Sequence, residues 1–436
     1  MASTLLAGAA TADITPLDSQ FLYGYPHVRR YSTGVHDPLL ASALYVNDGA
    51  TAIAMVATDV IFVPKALAAR ARKRIAALIG VPASHVMITA THTHSGPITV
   101  KYLSNEADAV VPDPDPKYLR QLEDGIVSAV EVACAAARPA QIGLAVADGS
   151  MLGGNRRDPA GPSNPRVPVL AVRTLDGSSI AAMLICNMHP TVLHEDSTLV
   201  SGDFPAMVRQ YLQRTVLDGC PVVYHTGPCG NQSPRRVTRS NTFAEAQRLG
   251  EAMGASVATA IENICYEDQI AVSCKQAFVD LPLREFPTEA EAEAGLRQAK
   301  TRFEQLRRDR AEHGLVRTAE CDWFGAEETL ALARAALSGK LQAAAIECLP
   351  VEIQAIRLGR WTFVGWQGEV FVEFGLQVRQ KHPDAYIISL ANGELQGYLV
   401  TADAVAEHGY EASNALFRSP DSGNLLVQRT LDLLRT

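Results

Sequence analysis

Between about residue 40 and residue 280, short apolar runs alternate with stretches of helical periodicity, and few architectures accommodate that pattern. Residues 43–46 and 51–60 read as two strands around the turn Asn47-Asp48-Gly49. Residues 64–79 then predict a helix, with Leu67, Ala71, Ile75 and Leu78 on one face and Gly80 as its stop. The short run 86–90 returns to strand character, so the order is a βαβ unit. Further long helices are predicted over 118–137, 204–217 and 242–264. The fold class that follows is α/β, with mixed β-sheets flanked by helices.

The texture changes between 284 and 345. Thr288-Glu289-Ala290-Glu291 is a capping-box pattern that opens a helix, and Leu296, Phe303 and Leu306 give it a narrow apolar stripe. Glu312-His313-Gly314 reads as its end, and a second helix is predicted over 326–337. Strand-like runs resume at 351–358 and 362–366. The chain therefore divides into a first part of an α/β body (1–283), an inserted helical hairpin (284–345) and a second part of the same body (346–436). The hairpin is either a solvated pair or a lid or contact surface.

Charge and composition narrow the function classes. With 47 Asp and Glu against 39 Lys and Arg, the net charge is −8, which disfavours sequence-independent binding to nucleic acid. No apolar run approaches the roughly 18–20 residues of a membrane span. The first residues show no basic segment ahead of an apolar one, and the eight scattered cysteines contain no CxxC pair. Both features lead us to expect a cytoplasmic protein with free thiols. The expected partner is a small molecule, and homo-oligomerisation is left open.

Chemistry-bearing residues recur at the ends of apolar runs. The run 86–90 leads directly into Thr91-His92-Thr93-His94-Ser95-Gly96-Pro97. Two histidines at i and i+2 project to one side of extended backbone. Residues 183–187 lead to His189-Pro190, with His194 and Glu195 beyond, and residues 222–225 lead to the loop that carries Ser233. Residues 363–366 lead to Gly368-Glu369, and residues 387–390 lead on to Tyr398. Open α/β sheets place ligands at the carboxyl ends of their strands, and two or three His with one Glu is the composition of a catalytic zinc site.

The motif Thr91-His92-Thr93-His94-Ser95-Gly96-Pro97 closely resembles the signature of the neutral ceramidase family, zinc-dependent amidases that split the N-acyl bond of ceramide. The resemblance runs along most of the chain in order. Ala12-Asp13-Ile14-Thr15-Pro16 and Gly34-Val35-His36-Asp37 are similar to the family's early segments. Asn155-Arg156 resembles its NRSP loop, from which Arg157-Asp158-Pro159 departs. His189-Pro190-Thr191 and Gly230-Asn231-Gln232-Ser233-Pro234 follow, the latter with Asn231 where the family has Asp, and then Gly368-Glu369, Tyr398 and Tyr410-Glu411.

The resemblance implies one zinc ion held by His92, His189, Glu369 and Tyr398. It makes His94 a supporting or oxyanion-stabilising histidine, Arg156 and Tyr410 the groups that hold the substrate carbonyl, and Ser233 the catalytic serine. No GxSxG elbow surrounds Ser233, so water activated by the metal is the favoured nucleophile and Ser233 a positioning group. The chain reads as a short ceramidase-like hydrolase without the immunoglobulin-like C-terminal domain. Its doubled arginines, Arg156-Arg157 and Arg235-Arg236, lead us to expect a small polar or carboxylated amide as substrate rather than ceramide. Three alternatives stand beside this: a metal-independent serine esterase or amidase using Ser233 with His225 or His194, a non-catalytic binding protein on the same fold, and a zinc phosphoesterase.

Overall fold

The computed structural model describes residues 4–435. A first group of strands comprises β1 (Leu6–Asp13), β2 (Leu40–Asn47), β3 (Ala52–Thr58) and β4 (Val86–Ala90), side by side in that order. A second comprises β5 (Arg138–Asp148), β6 (Arg166–Thr174), β7 (Ser179–Cys186) and β8 (Val222–Thr226). Among the described residues the two groups join only where Leu6 and Ala7 face Pro139 and Arg138, so the eight strands form one sheet with a narrow waist. The separate four-stranded sheet comprises β9 (Val272–Val279), β10 (Val351–Leu358), β11 (Trp361–Trp366) and β12 (Ala385–Ile388).

Each group of four ends in a parallel pair: β3 with β4, β7 with β8, and β11 with β12. A parallel pair needs a crossover. The crossovers are α1 (Lys65–Ile79), α3 (Asp203–Thr215) and α8 (Val372–Lys381). The βαβ reading of residues 51–90 is therefore correct, and the same unit occurs twice more. Gly80 stops α1 as expected, at φ +74° with its N–H on the Ala76 carbonyl.

The strands alternate between two cores. On β3, Ile53, Met55 and Ala57 face one cluster while Ala54 and Val56 face another; Val86 and Ile88 of β4 oppose Met87 in the same way. The cluster containing Met55 and Met87 also holds Met183 and Val223 of the second group and Ile356, Phe363 and Ile388 of the four-stranded sheet. All three groups of strands thus pack around one central apolar core. Burial of each such side chain contributes roughly 1.5–3 kcal/mol before chain entropy is counted. On the outward faces, α1 and α2 (Pro116–Ala135) cover the first group, and α3 and α4 (Phe243–Glu262) cover the second. The four-stranded sheet is covered by α7 (Lys340–Cys348), α8 and α11 (Asp421–Arg435).

The insertion departs from expectation at its second helix. In α5 (Glu289–Arg308) the capping box forms as predicted, with Thr288 and Glu291 each accepting the other's backbone N–H. The following α6 spans His313–Leu337, starting well before residue 326. Glu312, read as part of a stop, is instead the cap of α6: its carboxylate accepts the N–H groups of Gly314 and Leu315 at 2.9 and 3.1 Å. Helix α7 carries the helical segment on to Cys348, past residue 345. All eight cysteines are free, and no helix among the described residues is long and apolar enough to cross a membrane.

Candidate active site

The three parallel pairs converge at their carboxyl ends. Thr89 on β4 meets His225 on β8 (Oγ1 to Nδ1, 2.8 Å), the Thr226 hydroxyl donates to the Thr91 carbonyl, and Ser389 after β12 donates its N–H to Thr226. Strand β4 therefore delivers His92 and His94, β7 delivers His189, β11 delivers Glu369, and β12 leads on to Tyr398. Glu369 and Tyr398 become neighbours because Glu369–Val370 and Tyr398–Leu399 pair in parallel, opposite one another in register.

The three imidazoles present one set of nitrogens inward. His92 Nδ1 lies 2.8 Å from the Ile61 carbonyl, His94 Nδ1 3.2 Å from that of Gly24, and His189 Nδ1 2.7 Å from that of Cys229. A carbonyl only accepts, so each Nδ1 carries a proton, and Nε2 is the nitrogen each ring has left for another partner. Ring centroids stand 4.7 Å apart for His92 and His189, and 5.0 Å for His92 and His94. One ring nitrogen from each of the three can be chosen such that all lie within 4.8 Å of one another. Nε2 of both His92 and His94 is buried without a hydrogen-bond partner, a costly state for an apolar interior to keep. The Glu369 carboxylate closes the group, 3.0 Å from His189 Nε2 and 3.2 Å from His92 Nε2.

The electrostatics suit a cation. Burial, with His92 and His189 close by, holds His94 neutral, well below the usual imidazole range. Burial, reinforced by Arg156, pushes His189 down to about 4. Burial alone would raise Glu369, yet His92 and His189 hold it well below the usual carboxylate range. Three imidazoles and one carboxylate, each imidazole oriented by a backbone carbonyl, are a donor set and support of the kind zinc takes. His94 is grouped with His92 and His189 among residues whose ring nitrogens could hold a metal ion.

His92, His94, Glu369, Tyr398 and Tyr410 share one cleft, with Tyr23, Tyr102 and Phe324 on its walls. Arg156 approaches from behind: its guanidinium lies 5.5 Å from the Tyr398 ring centre, its Nε donates to Glu411 at 2.8 Å, and its Nη2 has no partner. Burial opposes that charge, but Glu411 and the Tyr398 phenol keep the guanidinium firmly protonated. Burial likewise raises the Tyr398 and Tyr410 phenols well above their usual range, so both keep their protons.

Ser233 lies outside the cleft lining. It is held by the pairing of Gln232–Ser233 with Gly154–Asn155, and its hydroxyl accepts the N–H of Arg235 at 3.2 Å. Neither candidate base bonds to it: His225 Nδ1 is engaged with Thr89, and His194 faces Glu195. Asn231 is a tether, accepting the N–H of Val372 and donating to Glu373. The doubled arginines also lie outside the lining. Arg157 pairs with Glu411 and Glu407, and Arg236 reaches the Arg156 carbonyl.

Sequence reasoning passed over several contributors. Gly24 supplies the carbonyl for His94, and Arg30 grips the His94 carbonyl. His27, Asp108, Glu327 and Glu328 form the acidic wall of the cleft. The aromatic and glycine run Tyr23-Gly24-Tyr25-Pro26-His27, and the adjacent aromatics and acids of α6, were the available signals.

Comparison with known proteins bears on the fold and on the first half of the chain. Residues 5–217 match the family model described as neutral/alkaline non-lysosomal ceramidase, N-terminal. The fold is similar to the crystal structure of neutral ceramidase from Pseudomonas aeruginosa, with a TM-score of 0.75 at 19% identity, covering 99% of this chain and 74% of that one. It is likewise similar to a ceramidase complexed with C2, with a TM-score of 0.76 at 18% identity and 75% of that chain covered. The resemblance read from the motifs and the mixed α/β expectation are both borne out.

Proposed function

We propose, taking as premise that residues 5–217 match the family model of neutral/alkaline non-lysosomal ceramidases, that the chain is a zinc-dependent amidohydrolase cleaving a C–N bond in a small polar amide rather than in ceramide. The observation that carries this is the grouping of His92, His94 and His189, whose ring nitrogens can lie within 4.8 Å of one another, with the Glu369 carboxylate beside one cleft. His92, His189 and Glu369 would hold the ion, with Tyr398 beside Glu369 and His94 available as a further donor. Bound there, zinc would polarise the amide carbonyl and lower the pKa of a water toward about 7.

The chain's own residues supply the rest. Arg156, with Nη2 free and its charge secured by Glu411, would steady the oxygen that gains negative charge. Tyr410, its phenol kept protonated by burial, would donate to the same carbonyl and fix its angle. One oxyanion donor of this kind typically contributes about 3–4 kcal/mol to the transition state. Ser233, bonded to Arg235 N, would act through the loop that carries Cys229, whose carbonyl orients His189. A cleft walled by acids and phenols favours a compact polar substrate over two alkyl chains. With eight free thiols, a reducing compartment such as the cytoplasm is the proposed setting.

The test is hydrolysis of a panel of short polar N-acyl amides and one lipid amide, before and after chelation. Activity on the polar amides that vanishes with chelator and returns with zinc supports the reading. Chelator-insensitive turnover with phosphonate labelling at Ser233 would replace it with the serine mechanism.

A further inference from the structure

The charged lining of the cleft is one-sided. Apart from histidines it carries Asp108, Glu327, Glu328 and Glu369, and neither lysine nor arginine lines it. Three of these carboxylates have imidazole partners. His27 lies 2.5 Å from Glu327 and 3.7 Å from Asp108, and Glu369 faces His92 and His189. Glu328 differs: it accepts the Asn414 amide and makes no ion pair among the described residues. Burial, opposed by Asn414 and more weakly by His27 and reinforced by Glu327, pushes its pKa up to about 7. Burial first, and then Glu328 and Glu369, raise the Tyr23 and Tyr410 phenols, which line the same cleft as both carboxylates. His94 Nε2, a buried atom with no hydrogen-bond partner among the described residues, belongs to the same cleft, which is therefore a built ligand site rather than an acidic surface.

A carboxylate without a cation, walled by aromatic rings, has the chemistry that recognises an alkylammonium: a charge-assisted hydrogen bond and cation–π contact together. We infer that the cleft takes amides whose non-reacting end carries a protonated amine, with Glu328 of α6 as its partner and Tyr23, Tyr410 and Phe324 as its walls. This rests on the amidase reading for the reaction but not for the binding. It also reverses the expectation of a carboxylated substrate, because the arginines that suggested one lie outside the lining, and the wall around Glu328 carries carboxylates with only His27 as a basic group.

The experiment is calorimetry of the full chain at mildly alkaline pH with n-hexylammonium, 1-hexanol and hexanoate, repeated on Glu328→Gln and Glu328→Asp. The ammonium should bind at least roughly tenfold tighter than the alcohol, a gap of about 1.4 kcal/mol, and hexanoate should bind weakest. Glu328→Gln should erase the gap while alcohol binding persists, which checks the fold, and Glu328→Asp should restore part of it. Equal binding of ammonium and alcohol, or tightest binding of hexanoate, would overturn the inference. Kinetics on the monoacetyl derivative of a diaminoalkane and its terminal-hydroxyl analogue separate the two readings. Glu328-dependent ammonium binding without hydrolysis of either would sink the amidase reading alone. Hydrolysis of both with no ammonium preference would sink the inference alone.

Discussion

At Gly24 the backbone runs at φ +118°, and a Cβ there would lie 2.4 Å from Nδ1 of His94. The residue is thus required twice, by its conformation and by the ring whose proton its carbonyl receives. Gly24→Ala should lower kcat/KM by roughly a hundredfold, the cost of losing one well-placed donor, while far-UV circular dichroism stays native. Unchanged kinetics would mean that His94 plays no part. Glu328 supports a second expectation at this scale. Its folded pKa of about 7 lies above the ordinary carboxylate value, so between roughly pH 4.5 and 7 the native state binds more protons than the unfolded one. Stability from this group is therefore greatest in acid and falls as pH rises through that window, by up to about 3 kcal/mol. Asp203, raised to about 7 by burial, acts in the same direction. Denaturant melts of Glu328→Gln against the parent should show a shallower decline, and parallel curves would contradict the assignment. His92 and His94 were legible in sequence because a strand delivers them with a fixed period. Gly24 was not, since an irregular loop has no period and its role depends on a partner 70 residues away.

Among the elements, α1 was legible nearly to the residue because apolar spacing and a glycine stop agreed. The start of α6 was not. Glutamate ranks below Ser, Thr, Asp and Asn as an N-cap, so Glu312 before His313-Gly314 resembled an ending. The consequence reaches the site, because the missed part of α6 includes Trp323 and Phe324, just ahead of Glu327 and Glu328 in the cleft wall. Helix α1 is also tied to β10. Arg72 clasps Glu352 with two bonds of 2.7 and 2.8 Å, both side chains only 9% exposed, and donates a third to the Val86 carbonyl. Glu352→Ala would leave the guanidinium buried without its carboxylate, so urea unfolding should lose about 3–5 kcal/mol. A change below 1 kcal/mol would show that α1 and β10 are not coupled through this pair.

On the scale of the whole molecule, three βαβ units share one apolar centre, and their carboxyl ends meet where the histidines and Glu369 are delivered. The α/β class was legible because the alternating pattern is local. The meeting of three strand ends was not, because nothing in local periodicity states that β4, β8 and β12 touch. The family motifs, in their order along the chain, were what linked His92, His189, Glu369 and Tyr398 before any coordinates. The central claim is that this convergence holds one zinc ion, and elemental analysis of the purified protein tests it most directly. The parent should carry about one zinc per chain after reconstitution, and His92→Ala and His189→Ala should each lose most of it while remaining folded, since a missing protein ligand typically costs affinity at least as heavily as the roughly 10–100-fold of a supporting contact. A parent that retains no zinc, or variants that retain it fully, would contradict the account.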